Sequence, residues 1–243
     1  MKKRRLLVPG LVLGLVLLLV ALWWGRGGLD LPGADGQPDG RSAAEILAGR
    51  EDTALAEALL ALPTPAELAA PYDRDQFGAR WADVDRNGCD TRNDILARDL
   101  TEVRWREGTH DCVVERGTLA DPYTGQQIRF QRGEKTSPAV QIDHVVALAN
   151  AWESGADRWS DEQREQFAND PLNLLAVDGP ANQQKGAASA DRWLPPNPFF
   201  HCEYAARQVA VKQKWDLAVT EAERSALARI LVSCEAPAAK GLD

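Results

Sequence analysis

The chain holds three histidines, His110, His144 and His201, so imidazole chemistry near neutral pH has few places to sit. His144 is the best placed, because it follows Asp143 at the end of an apolar strand candidate. A neutral imidazole there can accept a proton from water. Further along come Asn173, within Leu172-Asn173-Leu174-Leu175, and then Asn182 and Lys185 on a segment from Ala181 that can be helical. Carboxylate and amide oxygens are hard donors that suit a cation such as Mg²⁺, and a lysine ammonium can neutralise a phosphate. Successive strand residues point to opposite faces, so Asp143 and His144 can serve one centre only where the strand bends or ends. His110 sits in the polar Glu107–Asp111 loop and reads as solvated; His201, beside Cys202, reads as structural.

A second constellation is Asp83-x-Asp85-x-Asn87-Gly88, with Asp94 at the twelfth position from Asp83. This is the ligand spacing of a calcium loop, with the glycine on its sharp turn. Asp94 is shorter than the usual bidentate glutamate and Cys89 takes the seventh position, so a polar turn capping the next helix is the competing reading. A Ca²⁺ ion held there would be structural. Arg129, Arg132, Lys135, Lys185 and Arg192, interleaved with Phe130 and Trp193, are candidates for a phosphate-tracking groove on a chain of net charge -8, whose acidic balance gives no basic field over the whole surface. No Walker loop, dinucleotide fingerprint or nucleophile elbow occurs, which leaves nucleotide-driven and serine-hydrolase chemistry without local support.

The elements that must position these groups are legible in part. Lys2, Lys3, Arg4 and Arg5 precede an uncharged apolar run from Leu6 to Trp24, long enough for a membrane helix whose basic flank stays in the cytoplasm. Residues 1–25 therefore read as a membrane anchor or signal segment, 26–42 as a flexible Gly/Pro linker, and everything after as extracytoplasmic. Cys89, Cys112, Cys202 and Cys234 fit an oxidising compartment and predict two disulfides. Three connectivities are open; nearest-neighbour pairing, Cys89 with Cys112 and Cys202 with Cys234, keeps each bridge local. Helices are expected over Ala43 to Leu62, from the Thr64-Pro65-Ala66-Glu67 capping box, over Thr91 to Leu100, from Ser160 to Phe167, and over Cys202 to Leu217 and Thr220 to Cys234. Leu172 to Val177 reads as a strand, and Gln127 to Gln131 with Ala139 to Val146 as a β-hairpin. The helical lead-in covers 43–70, the main domain 71–235 and a disordered tail 236–243.

The order of these residues resembles the HNH, or ββα-metal, endonucleases. Ile142-Asp143-His144-Val145-Val146 is similar to the first motif, Leu172-Asn173-Leu174-Leu175 to the second and Ala181-Asn182-Gln183-Gln184-Lys185-Gly186 to the third. From about Tyr72 to Cys234 the chain resembles the exported branch related to GmrSD-type C-terminal domains, through Asn87-Gly88-Cys89-Asp90-Thr91-Arg92, Asp121-Pro122-Tyr123-Thr124-Gly125, Ala151-Trp152-Glu153-Ser154-Gly155-Ala156, Asn169-Asp170-Pro171 and Trp193-Leu194-Pro195-Pro196. The resemblance implies an α+β fold, with a ββα-metal finger embedded in a mostly helical, disulfide-bonded domain. It implies a metal-dependent endonuclease hydrolysing phosphodiester bonds in nucleic acid, DNA before RNA. In it His144 is the general base, and Asn173 ties the loop that aims His144. Asp143 and Asn182 would hold Mg²⁺ or another divalent cation such as Mn²⁺, and Lys185 and Arg192 would meet substrate phosphate. The third motif carries Asn182 where many members carry His, which favours an oxygen-preferring cation over zinc, and 147–170 adds an inserted helix. No nucleotide cofactor is expected, and the protein is expected as a monomer, membrane-bound only if its first segment is uncleaved. The alternative is a non-enzymatic, calcium-stabilised extracellular binding module with a vestigial finger.

Overall fold

The computed structural model describes residues 41–48, 53–68 and 70–234. The expected anchor, nearly all of the expected linker and the tail lie outside the described residues, among which no helix is long and apolar enough to cross a membrane. In chain order the helices are α1 (Ala43–Leu47), α2 (Thr53–Ala61), α3 (Thr91–Asp99), α4 (Leu148–Glu153), α5 (Asp161–Ala168), α6 (Gly179–Lys185), α7 (His201–Lys214) and α8 (Glu221–Ser233). The strands are β1 (Leu100–Trp105), β2 (Val114–Ala120), β3 (Gln127–Gln131), β4 (Val140–His144) and β5 (Leu174–Asp178). They form two antiparallel sheets, one ordered β1-β2-β3 and one of β4 with β5. The fold is mixed α and β. Both disulfides form in the nearest-neighbour pattern, Cys89–Cys112 and Cys202–Cys234.

Local capping chemistry sets several helix starts. Ser42 and Glu45 exchange hydrogen bonds as a capping box ahead of α1, and Ser160 and Gln163 do so ahead of α5. Asp90 caps α3 and Thr220 caps α8, each accepting from a backbone N–H three residues on. α3 then buries Ile95 and Leu96 with Leu100, Leu119 and Phe130 from one sheet and Val140, Ile142, Leu174 and Ala176 from the other. One helix thus joins the two sheets through a common apolar core, the arrangement that removes the most hydrocarbon from water.

Three expectations are corrected. β3 and β4 do not form a hairpin: β3 pairs with β2 across the tight Asp121–Gln126 turn, while a 3-10 turn at Ser137–Ala139 carries β4 away to β5. The missing term was β2, whose Val-Glu-Arg-Gly-Thr-Leu-Ala run lacks clean alternation. The Thr64–Glu67 capping box starts no helix; residues 63–68 run exposed and non-helical, and a cap without an apolar face to bury does not nucleate. The first helical pattern is two helices, α1 and α2, whose Ile46, Leu47 and Leu59 share a core with Val209, Leu227 and Leu231 of α7 and α8.

Arg224 fastens that junction. Its guanidinium, on a residue 7% exposed, donates to the carbonyls of Leu59, Leu60 and Leu62 at the end of α2. Arg224→Ala is expected to cost about 2 to 3 kcal/mol, since it strands buried carbonyls that a charged donor now satisfies. The urea midpoint measures it, and an unchanged midpoint would mean that water serves those carbonyls equally well.

Candidate active site

The site is built where β4 ends. In the β4–β5 register Asp143 lies opposite Leu175 and His144 opposite Leu174. Past His144 the chain is held by Asn173, which is fully buried: its carbonyl accepts from Val145 N at 2.8 Å, its Oδ1 accepts from Val146 N at 2.8 Å, and its Nδ2 donates to the Val146 carbonyl at 3.1 Å. That two-way amide clamp turns the strand out of its ladder. The loop carrying Asn173 is itself pinned by Arg98, which donates to the carbonyls of Pro171 and Leu174, and by Arg207, which donates to that of Leu172.

α6 follows β5 without a linker. The Asp178 carboxylate accepts from Ala181 N at 2.8 Å as its cap. Gly179 passes the Pro138 carbonyl so closely that a Cβ would lie 2.0 Å from the oxygen, so only glycine fits there. The buried Asp121 carboxylate accepts from Asp178 N at 2.8 Å and from Thr124 N at 2.8 Å, tying the β2–β3 turn to the start of the helix. Asn182 and Lys185, three residues apart, lie on one helix face, and both reach β4. Asn182 Nδ2 donates to Gln141 Oε1 at 3.0 Å, while Lys185 Nζ donates to Asp143 Oδ1 at 2.9 Å and to the His144 carbonyl at 2.8 Å.

Asp143 and His144 have different partners, as strand alternation requires. Asp143 is 5% exposed, with Oδ1 on the Lys185 ammonium and Oδ2 accepting from the Tyr123 hydroxyl. Burial raises its carboxyl pKa, and Lys185 and Tyr123 act against that. The Tyr123 phenol is pushed well above its ordinary value by burial and by the Asp143 charge, so it stays a donor. His144 is half-buried, with Nε2 2.8 Å from the Ala168 carbonyl at the end of α5. A carbonyl only accepts, so Nε2 carries the proton and Nδ1 keeps a free lone pair in the neutral ring. The Trp81 indole lies nearly parallel to the imidazole, 10° off at 6.0 Å between centroids. Burial pushes the imidazole pKa down to about 4; the Ala168 carbonyl opposes this, and the positive charges of Lys185 and Arg74 add to it. At neutral pH the ring is an uncharged acceptor.

Asp143, His144 and Asn182 line one open cavity of about 360 Å³, together with Tyr72, Ala147 and Gly186. No described residue donates to Asn182 Oδ1, and the Asp143 carboxylate, which accepts from Lys185, Tyr123 and the His144 backbone N–H, has one of its four lone pairs left. That oxygen set fits a hard divalent cation, which needs only one or two protein oxygens and takes the rest from water and phosphate. Among the described residues no group of three His, Cys, Asp or Glu is placed to hold a metal unaided.

The other expected site residues are dispersed. Lys185 is 2% exposed and its ammonium is spent inside the protein, so it is corrected from a phosphate contact to the partner of Asp143. Arg192 is exposed and pairs loosely with Asp191, outside the cavity lining. Within the expected basic groove, Arg132 is tied to the Val114 carbonyl and Asn93 and Lys185 is buried, while Arg129 is exposed on β3. Asp83, Asp85, Asn87 and Asp94 do come together, but around hydrogen bonds of their own. Asp83 accepts from the amides of Asn87 and Gly88, and Asp85 and Asp94 accept from Asn87 Nδ2. Gly88, at φ +91°, makes the turn. His110 is exposed, and His201 is bonded to the Pro195 carbonyl. Trp81, Tyr123 as the holder of Asp143, and Gln141 were not legible as site residues, because each acts through a contact that sequence spacing does not encode.

β4, β5 and α6 thus set an imidazole acceptor and two side-chain oxygen groups on a single cleft. The chain belongs to the family of GmrSD restriction endonuclease C-terminal domains, whose model matches residues 90–230. It is 39% identical over 165 residues to a protein of Arthroderma benhamiae named as an uncharacterized secreted protein, an overlap covering 67% of this chain and 76% of that one. No solved structure matches the chain.

Proposed function

We propose that the protein is an exported, metal-dependent endonuclease in which β4, β5 and α6 act as the HNH finger and water attacks a phosphodiester in DNA. The observation that carries this reading is the shared cavity: His144, with Nε2 committed to Ala168 and Nδ1 free, opens onto the same space as Asp143 and Asn182. His144 Nδ1 takes the proton of the attacking water as its oxygen bonds to phosphorus and the opposite P–O bond to the sugar breaks, the departing sugar oxygen taking a proton from solvent. Asn173 holds the strand end so that the imidazole stays aimed, and Trp81 holds its plane. Asp143 and Asn182 would hold the cation, which when bound supplies Lewis acidity and a more acidic water. That contribution suits a base as weak as His144. Lys185 and Tyr123 fix the Asp143 carboxylate and offset the cost of burying it. Two disulfides form in oxidising compartments, and the secreted name of the relative supports export.

The test is digestion of supercoiled plasmid and of a folded RNA by the purified protein with Mg²⁺, Mn²⁺ or Ca²⁺, and with excess chelator. Nicking and linearisation are expected with Mg²⁺ or Mn²⁺, abolished by chelator, with DNA cut faster than RNA. Intact substrate under every cation would return the chain to a binding module.

A further inference from the structure

We propose that the outer face of the β1-β2-β3 sheet is a second contact surface for nucleic acid, in which Arg104, Arg116 and Arg129 bind the phosphate backbone. This rests on the nuclease reading and names where the polymer is held away from the cleft. The strand register puts the three on one face. Arg104 lies directly opposite Arg116, Arg116 opposite Gln131, and Thr118, two residues from Arg116, opposite Arg129. Residues directly opposite point to the same side, as do residues two apart. The face therefore carries Arg104, Arg116 and Gln131 in one row and Thr101, Thr118 and Arg129 in the next.

Placing two arginines directly opposite each other costs stability in an antiparallel pair. The chain goes out of its way to do so. Between Thr101 and Arg104 the register slips by one residue, a bulge in which Glu102 takes φ +53°. Without that bulge Val103 would oppose Arg116. Bulges re-aim side chains, and they concentrate near functional surfaces. All three arginines are exposed, and none of their guanidiniums forms an ion pair or a hydrogen bond with another described residue. Glu102, at the bulge, accepts from the Thr118 hydroxyl and lies within ion-pair distance of no arginine among the described residues. Glu115, on the central strand β2, reaches Gln131 of this face and is paired with Arg106. On a chain of net charge -8, three guanidiniums on one face with no ion-pair partner among the described residues complement a polyphosphate with no demand on base sequence.

The experiment measures binding of a fluorescein-labelled 30-base-pair DNA to the full-length protein by anisotropy, in EDTA, across a salt series. Two triple variants are compared, R104Q/R116Q/R129Q and R104K/R116K/R129K. The Gln variant is expected to bind at least 10-fold more weakly at low salt, with a log–log salt slope shallower by about 2 to 3, close to one counterion per lost contact. The Lys variant is expected to keep the slope. The Gln variant is also expected to melt no lower than the parent, because it removes a like-charge pair. Parent-like affinity and slope in the Gln variant would overturn this surface while leaving the nuclease reading in place. A parent that neither binds nor cuts DNA would overturn both. Equal loss in the Gln and Lys variants would overturn the phosphate assignment, and binding of anionic lipid vesicles in preference to DNA would do so in favour of a membrane.

Discussion

His144→Ala is expected to lower the single-turnover rate of DNA cleavage about 10²- to 10⁴-fold, the usual contribution of a positioned general base. The loss should be specific to chemistry. Nδ1 is the free acceptor on a cavity shared with Asp143 and Asn182, whereas Nε2 serves only to orient the ring through Ala168. The alanine variant forfeits that one hydrogen bond and the Trp81 stack, so its stability should fall by no more than about 1 to 2 kcal/mol. DNA affinity measured in EDTA should stay within a few-fold of the parent. A variant that folds, binds and still cleaves within about 3-fold of the parent rate would remove His144 from the chemistry, since proton transfer to a side chain contributes more than that.

Lys185→Met should have the largest effect on stability, about 3 to 5 kcal/mol at neutral pH, because it strands the Asp143 carboxylate in the interior with only the neutral Tyr123 hydroxyl and the His144 backbone N–H as donors. The pair is well enclosed: side-chain exposure is 0% for Lys185 and 6% for Asp143 at 2.9 Å. The deficit should depend on pH with a definite sign. Burial already raises the Asp143 carboxyl pKa, and removing the opposing ammonium raises it further. In the variant the folded state then binds a proton that the unfolded chain, with a carboxylate near its usual value of about 4, has released. Stability linked to a raised folded pKa is present at low pH and lost as pH rises. The variant's deficit should therefore narrow as pH falls from 7 towards 4.5. The double variant Asp143→Asn/Lys185→Met should recover part of the loss at pH 7. Urea titrations in EDTA at three pH values decide it, and a deficit under about 1 kcal/mol that does not vary with pH would mean that Lys185 is replaceable by water.

The candidate site is more legible in the sequence than the architecture is. Asp143, His144, Asn173 and Asn182 can be picked out as candidates by residue type and order, and the structure sets them together around the end of β4. Capping signals at Ser160 and Thr220 act within a few residues, so they too can be read directly. What could not be read depends on partners distant in the chain. β1 and β2 lack clean hydrophobic alternation because their register slips twice, between Thr101 and Arg104 and between Arg104 and Trp105, and because Gly117 stands where a Cβ would meet Leu100. With β2 unseen, β3 was assigned to the wrong neighbour. Lys185 was misread for the same reason. A lysine in the last turn of a short helix looks solvated until β4 supplies the carboxylate that draws it inside.

The most direct measurement is cleavage of plasmid DNA in ¹⁸O-labelled water with Mg²⁺, run in parallel for the parent and His144→Ala, with mass spectrometry of the new phosphate ends. One ¹⁸O atom per newly formed phosphate end, at a rate the variant does not approach, is the expected result. Intact plasmid, product ends without label, or equal rates for the two proteins would contradict it.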